Sequence, residues 1–192
     1  MYYSQLVKTA CIILFQAHGD DLDKGGYPYV FHPFYLATQM DDEASTCVAL
    51  LHDVIEDHGD VYSFADLERA GFPAPVLDAL RLLTHAEGVP YMDYVQALAK
   101  NPIARKVKCA DLRHNLDTRR TDGAAPAKRD IYLQALAYLE TAKMPIVLKA
   151  DGLALGKGVL ICENEQQAAD GVKEIMLDKK FGASGNHVVV EE

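Results

Sequence analysis

Leu50-Leu51-His52-Asp53-Val54-Ile55-Glu56-Asp57-His58 places five polar or ionisable groups inside a run that otherwise reads as buried core. In a helix, side chains four positions apart share a face, so Glu56 stands one turn above His52 and Asp57 one turn above Asp53. Ionisable groups crowded beside a core destabilise it unless something pairs with them, and a cation meets that need most simply. A His-Asp dipeptide by itself is ordinarily a helix-surface pair satisfied by its neighbours. Two further stretches change that reading. Lys24-Gly25-Gly26-Tyr27-Pro28-Tyr29-Val30-Phe31-His32-Pro33 ends a loop on a histidine, and Val107-Lys108-Cys109-Ala110-Asp111-Leu112-Arg113-His114-Asn115 sets an acid and an amide four apart on a helix.

Helical spacing extends outward from this run. Residues 43–55 read as one long helix, and 6–17 as an earlier one with apolar residues at three- and four-residue spacing. Ser63 followed by Asp66 forms a capping-box pattern, with Gly71 as the stop. Further helices are expected at 76–83, 91–100, 103–116 and 127–142, set apart by Pro75, Pro90, Pro102 and Pro126. The stretch 19–33, rich in glycine, proline and acids, is expected to be an exposed loop from which Pro33 can open a helix.

The 192 residues are 49% hydrophobic and carry a formal net charge of −9. That length suits one good core with a small appendage. So acidic a chain repels a phosphate backbone, and nucleic acid is not expected as a partner. Cys11, Cys47, Cys109 and Cys162 are scattered without a Cys-x-x-Cys pair, and the longest early apolar run is far too short to span a bilayer. A cytoplasmic chain with no membrane partner is expected, its oligomeric state left open.

On His32-Pro33, His52-Asp53-Val54-Ile55-Glu56-Asp57 and Asp111-Leu112-Arg113-His114-Asn115, in that order, residues 1–142 resemble an HD-domain phosphohydrolase, specifically the hydrolase domain of enzymes that degrade the alarmone (p)ppGpp. The resemblance implies a helical bundle in which His32, His52, Asp53 and Asp111 bind one divalent metal, usually manganese. Two imidazoles and two carboxylates independently suit a borderline first-row ion better than calcium or magnesium. It further implies that Glu56 and Asp57 flank the attacking water, and that Lys24, Tyr29 and Asn115 line a pocket for a small nucleotide. The implied reaction is removal of the 3′-pyrophosphate, with a general nucleotidase or a non-catalytic scaffold as alternatives. One departure stands out: Asp23 lies where many relatives carry an arginine proposed to stack on guanine. His18 falls where the family has a histidine, yet at a helix end it needs no catalytic role. His58, His85 and His187 match nothing and are expected at the surface or in packing, while His114 is expected to support a ligand.

After Met144 the pattern changes. Residues 146–148, 159–161 and 188–190 read as short strands around a glycine-rich loop and a helix opened by Asn164. The run Met144-Pro145-Ile146-Val147-Leu148-Lys149-Ala150-Asp151-Gly152-Leu153-Ala154-Leu155-Gly156-Lys157-Gly158-Val159 resembles phosphoribosylamine–glycine ligase, an ATP-grasp enzyme. Residues 143–192 are therefore expected to form a small, partial α+β ATP-grasp-like lobe appended to a mainly α chain. By the resemblance, Lys149, Gly156, Lys157, Gly158 and Glu191 would serve nucleotide binding. Ligation is not expected, because the family's other domains lie beyond this stretch. The helix around 135–142 suits both families, and a junction there suggests a fusion.

Overall fold

The computed structural model describes residues 1–121, 123–141, 146–150, 159–162, 173–174 and 188–191. The chain divides into two compact units, Met1–Thr141 and Ala142–Glu192.

The described residues of the first unit are helical: α1 Gln5–His18, α2 Phe31–Thr38, α3 Glu43–Leu51, α4 Val54–Asp57, α5 Phe64–Arg69, α6 Ala74–Leu83, α7 Tyr91–Leu98, α8 Pro102–Leu116 and α9 Arg129–Thr141, with a 3₁₀ turn at Thr118–Thr121. Helix α3 is the centre of the bundle. Every side chain from Ser45 to Leu51 is buried, and α1, α2, α6 and α8 all pack against it. A helix apolar on all sides is stable only when enclosed in this way. Asp42 caps its start, accepting from the Ser45 amide at 2.7 Å, and the Thr46 hydroxyl donates back to the Asp42 carbonyl at 2.7 Å.

The helix expected over 43–55 is broken in two. Leu51 ends α3 and Val54 begins α4. Between them His52 turns its Nδ1 onto the Ala49 carbonyl oxygen at 2.9 Å, while Asp53 opens to φ −105° and ψ −5°. The break falls on the two residues expected to work chemically. Periodicity could not reveal it, because both residues keep near-helical dihedrals and the Asp57 amide still donates to the Asp53 carbonyl at 2.8 Å.

Helix α8 is set by its cap. Asn101 accepts from the amides of Ile103 and Ala104, both at 3.0 Å, and Pro102 occupies the first turn where its missing N–H costs nothing. The buried stripe of α8 runs through Ala104, Val107 and Asp111, so helical period alone carries an acid into the core. The Ser63–Asp66 capping box forms as expected, and Gly71 adopts φ +93°, the left-handed conformation that ends a helix most readily at glycine.

In the second unit, strands β1 Ile146–Ala150, β2 Val159–Cys162 and β3 Val188–Glu191 form an antiparallel sheet in the order β2-β1-β3. Leu148 lies opposite Leu160 on one side and Val190 on the other. Lys149 belongs to β1 and Glu191 to β3. Gly156, Lys157, Gly158 and nearly all of the helix expected after Asn164 lie outside the described residues.

Leu50 is wholly buried within α3. Replacing it by alanine should lower stability by about 3 kcal/mol through lost burial and a residual cavity. Urea denaturation measures this, and a loss far smaller than that would contradict the central place of α3.

Candidate metal centre and cleft

The α3–α4 break points His52 and Asp53 at the same place. Because His52 Nδ1 donates to Ala49 O, Nε2 carries the lone pair, and Nε2 lies 3.0 Å from Asp53 Oδ2. Two lone pairs facing each other at that distance form no hydrogen bond, and Nε2 is buried with no hydrogen-bond partner. Such a pair requires a shared cation, either a proton or a metal ion. The electrostatics agree. Burial works against a charged His52, yet Asp53 lifts its pKa to about 9. Burial likewise opposes a charged Asp53, but His52 holds it below the ordinary carboxylate range.

His32, from the first turn of α2, completes the group. Donor atoms of His32, His52 and Asp53 all lie within 4.8 Å of one another. Asp111 adjoins it through His32, with Oδ1 3.1 Å from His32 Nε2. Burial lowers the His32 pKa, which keeps a lone pair available for ligation. The four residues are supplied by α2, the α3–α4 junction and α8, and their chemistry fits a first-row ion: imidazole nitrogens and carboxylate oxygens, buried, with one Nε2 lacking a partner.

Each member is braced. His32 Nδ1 meets His114 Nδ1 at 2.7 Å, the rings lie within 2° of parallel, and Tyr35 stacks on the far face of the pair at a centroid distance of 4.0 Å. Burial, then the neighbouring His32, drives the His114 pKa down to about 4, so a neutral His114 can accept the His32 proton. The Tyr29 hydroxyl donates to Asp53 Oδ2. Asn115 Nδ2 donates to Asp111 Oδ1 at 2.5 Å, and Lys108 Nζ donates to Asp111 Oδ2 at 2.8 Å. Burial disfavours the Lys108 charge, yet Asp111 raises its pKa well above the ordinary value.

Beside this group opens a cleft of about 780 Å³, lined among others by Lys24, Tyr29, His32, Asp53, Asp57, Asn115 and Arg120. Asp57 lines it and is exposed, its pKa raised by desolvation and then by Asp53. Glu56 turns instead toward a smaller adjoining pocket shared with Asp57, Lys108 and Asp111, where its Oε2 accepts from the His85 amide at 2.8 Å. Of the two acids expected to flank the water, Asp57 lines both pockets and Glu56 only the smaller one. Tyr29 and Asn115 line the cleft, but their polar groups bond to Asp53 and Asp111.

The loop expected at 19–33 folds as a small hairpin. Asp23 N donates to Tyr27 O at 2.7 Å and Tyr29 N to Asp21 O at 2.9 Å. Asp23 organises its tip, with Oδ1 accepting from the Gly25 and Tyr27 amides at 2.8 and 3.0 Å. Its Oδ2 pairs with Arg120 Nη2 at 3.2 Å. Arg120 Nη1 also donates to Asn115 Oδ1 at 3.1 Å, and a Cβ on Gly25 would collide with the Arg120 backbone oxygen. Lys108 and Arg120 escaped the sequence reading. The available signals were a lysine one helical turn before Asp111 and a paired Arg119-Arg120 in an otherwise acidic chain.

A solved structure described as a metazoan ortholog of SpoT that hydrolyzes ppGpp superposes with a TM-score of 0.58, at 21% identity, over 91% of this chain and 97% of that one. At that identity the likeness is one of fold, and the fold is mainly helical as the motifs imply. Residues 114–192 match the phosphoribosylglycinamide synthetase ATP-grasp (A) domain family. Phosphoribosylamine–glycine ligases of Leptospira interrogans and Streptococcus suis are each 56% identical, over 61 and 59 residues, which is 32% and 31% of this chain. The aligned stretch amounts to 14% of the length of each of these curated relatives. The family match starts inside α8, so it reaches into the helical unit. A mainly helical fold like that of the solved structure and a stretch matching an ATP-grasp domain family thus occur in one chain.

Replacing Lys108 by methionine keeps the packing of its stem but leaves Asp111 buried without its cation. Stability of the metal-free protein should fall by about 3 kcal/mol. Chemical denaturation checks this, and unchanged stability would show that Lys108 does not hold Asp111.

Proposed function

We propose that the chain is a metal-dependent phosphohydrolase that removes the 3′-pyrophosphate from (p)ppGpp or a related nucleotide. The observation that carries this reading is the convergence of His32, His52 and Asp53, with Asp111 adjoining, beside a cleft that holds Asp57 and two cations, Lys24 and Arg120. The fold likeness to a ppGpp-hydrolysing protein supports the same class.

In this reading His32, His52, Asp53 and Asp111 hold one divalent ion, with manganese the expected metal. Bound there, the ion would supply positive charge that acidifies the attacking water and offsets charge on the phosphoryl oxygens. Asp57, exposed at the cleft wall, accepts the water proton as oxygen attacks phosphorus and the ester oxygen leaves. Glu56, tied to the His85 amide, holds the acidic turn in position. Tyr29 and Asn115 act through their bonds to Asp53 and Asp111, fixing ligand directions. Lys24 and Arg120 counter the substrate's negative charge locally, which a chain of net charge −9 needs for any phosphate ligand.

Asp23 bears on specificity. It binds the loop tip and Arg120, so it cannot stack on a base, and the guanidinium nearest the loop comes from the far wall of the cleft. A panel of guanosine and adenosine polyphosphates tests whether guanine is still selected. Cys11, Cys47 and Cys109 are free thiols, which supports a reducing, cytoplasmic setting. Among the described residues no helix is long and apolar enough to cross a membrane.

The family match at 114–192 favours a second reading for the tail: a nucleotide-binding fragment without ligase chemistry. Calorimetry with ATP on the full chain distinguishes it, since heat of binding is expected only if the fragment retains a nucleotide site.

With manganese and ppGpp, the purified protein should release pyrophosphate. Asp57→Ala should keep its metal content and lose at least about 100-fold in turnover, the scale of a lost general base. Equal loss of metal and activity would contradict this division of roles, and cleavage of other nucleotides alone would point to a general nucleotidase.

A further inference from the structure

A second histidine–carboxylate group stands outside the centre described above. His18 ends α1, Asp21 begins the hairpin, and His58 follows α4. His18 Nδ1 and His58 Nε2 each lie 2.8 Å from Asp21 Oδ2, and the two nitrogens are 3.2 Å apart. Three donor atoms, two from neighbouring turns of chain and one from His58 about 40 residues on, therefore form a compact triangle. Ligands held about 2.0–2.1 Å from a first-row ion sit roughly 2.9–3.4 Å from one another in octahedral or tetrahedral arrangements. The 3.2 Å edge falls inside that span and the two 2.8 Å edges just below it.

The surroundings point the same way. His18 is 1% exposed. If the group were held only by hydrogen bonds, one carboxylate oxygen would take a proton from both rings, drawing two N–H groups to within 3.2 Å of each other. A cation at the centre instead uses the His18 Nδ1 and His58 Nε2 lone pairs and the carboxylate at once. Asp21 and His58 are 41% and 24% exposed at the side chain, which gives an ion a way in and leaves coordination positions for water. Aspartate and imidazole together select a borderline divalent ion over calcium or magnesium.

We infer that His18, Asp21 and His58 form a second divalent transition-metal site, distinct in ligands from the His32–His52–Asp53 group. It borders the catalytic cleft: Asp21 lines that cleft, and the His18 ring lies 4.7 Å from Tyr29, whose hydroxyl bonds Asp53. An ion at this position fixes the base of the hairpin that carries Asp23, Lys24 and Tyr29.

Metal-stripped full-length protein, dialysed to equilibrium against Co2+, tests the inference by metal analysis and visible absorption. The wild type should take up two equivalents, His58→Ala one, His52→Ala one, and the double variant none. His85→Ala should retain two. Asp21→Asn, at a half-exposed position, repeats the His58→Ala result without removing a ring from the core, and circular dichroism shows whether each variant is folded. If His58→Ala and Asp21→Asn bind as much cobalt as the wild type, the second site is wrong. If His52→Ala loses nothing while His58→Ala loses its ion, the second site stands and the principal one falls.

Discussion

A buried imidazole, His52, and the partly exposed carboxylate of Asp53, held with their lone pairs facing each other, constrain the helical unit more than any other interaction. In a low-dielectric interior that arrangement is unfavourable until positive charge enters it. The chain commits to it structurally. The Ala49 carbonyl takes the Nδ1 proton of His52, the helix opens at Asp53, and the buried stripe of α8 delivers Asp111 on the far side of His32. His114 then fixes His32, Tyr29 fixes Asp53, and Asn115 and Lys108 both fix Asp111. So many bonds directed at orienting ligand atoms are what a metal centre needs and what an ordinary core does without.

The cleft extends the same logic. The molecule is acidic as a whole, yet Lys24 and Arg120 are placed at one cavity. Arg120 ties the hairpin tip to the end of α8 through Asp23 and Asn115, so the cleft and the His32–His52–Asp53 group share a framework. A change at Arg120 is therefore felt at Asp111 through Asn115, only two bonds away.

Much of this was legible in the sequence. Periodicity located every long helix, and the grouping of His32, His52, Asp53 and Asp111 followed from motifs in order. What escaped was of two kinds. The break between Leu51 and Val54 is invisible to periodicity, because the apolar spacing runs through it and only a side-chain bond to Ala49 marks it. Pairings such as Arg120 with Asp23, or His58 with Asp21 and His18, join residues 97, 37 and 40 positions apart, and no local pattern encodes such contacts. His58 looked like a surface residue for that reason. In the tail, strand positions were readable from apolar runs, whereas the residues assigned there to nucleotide binding rest on family likeness.

The most direct measurement is anomalous diffraction from crystals of the full chain grown with manganese. The account requires a peak roughly 2.0–2.2 Å from His32 Nε2, His52 Nε2 and carboxylate oxygens of Asp53 and Asp111. Manganese bound only elsewhere, with these four side chains unliganded at saturating metal, would contradict it.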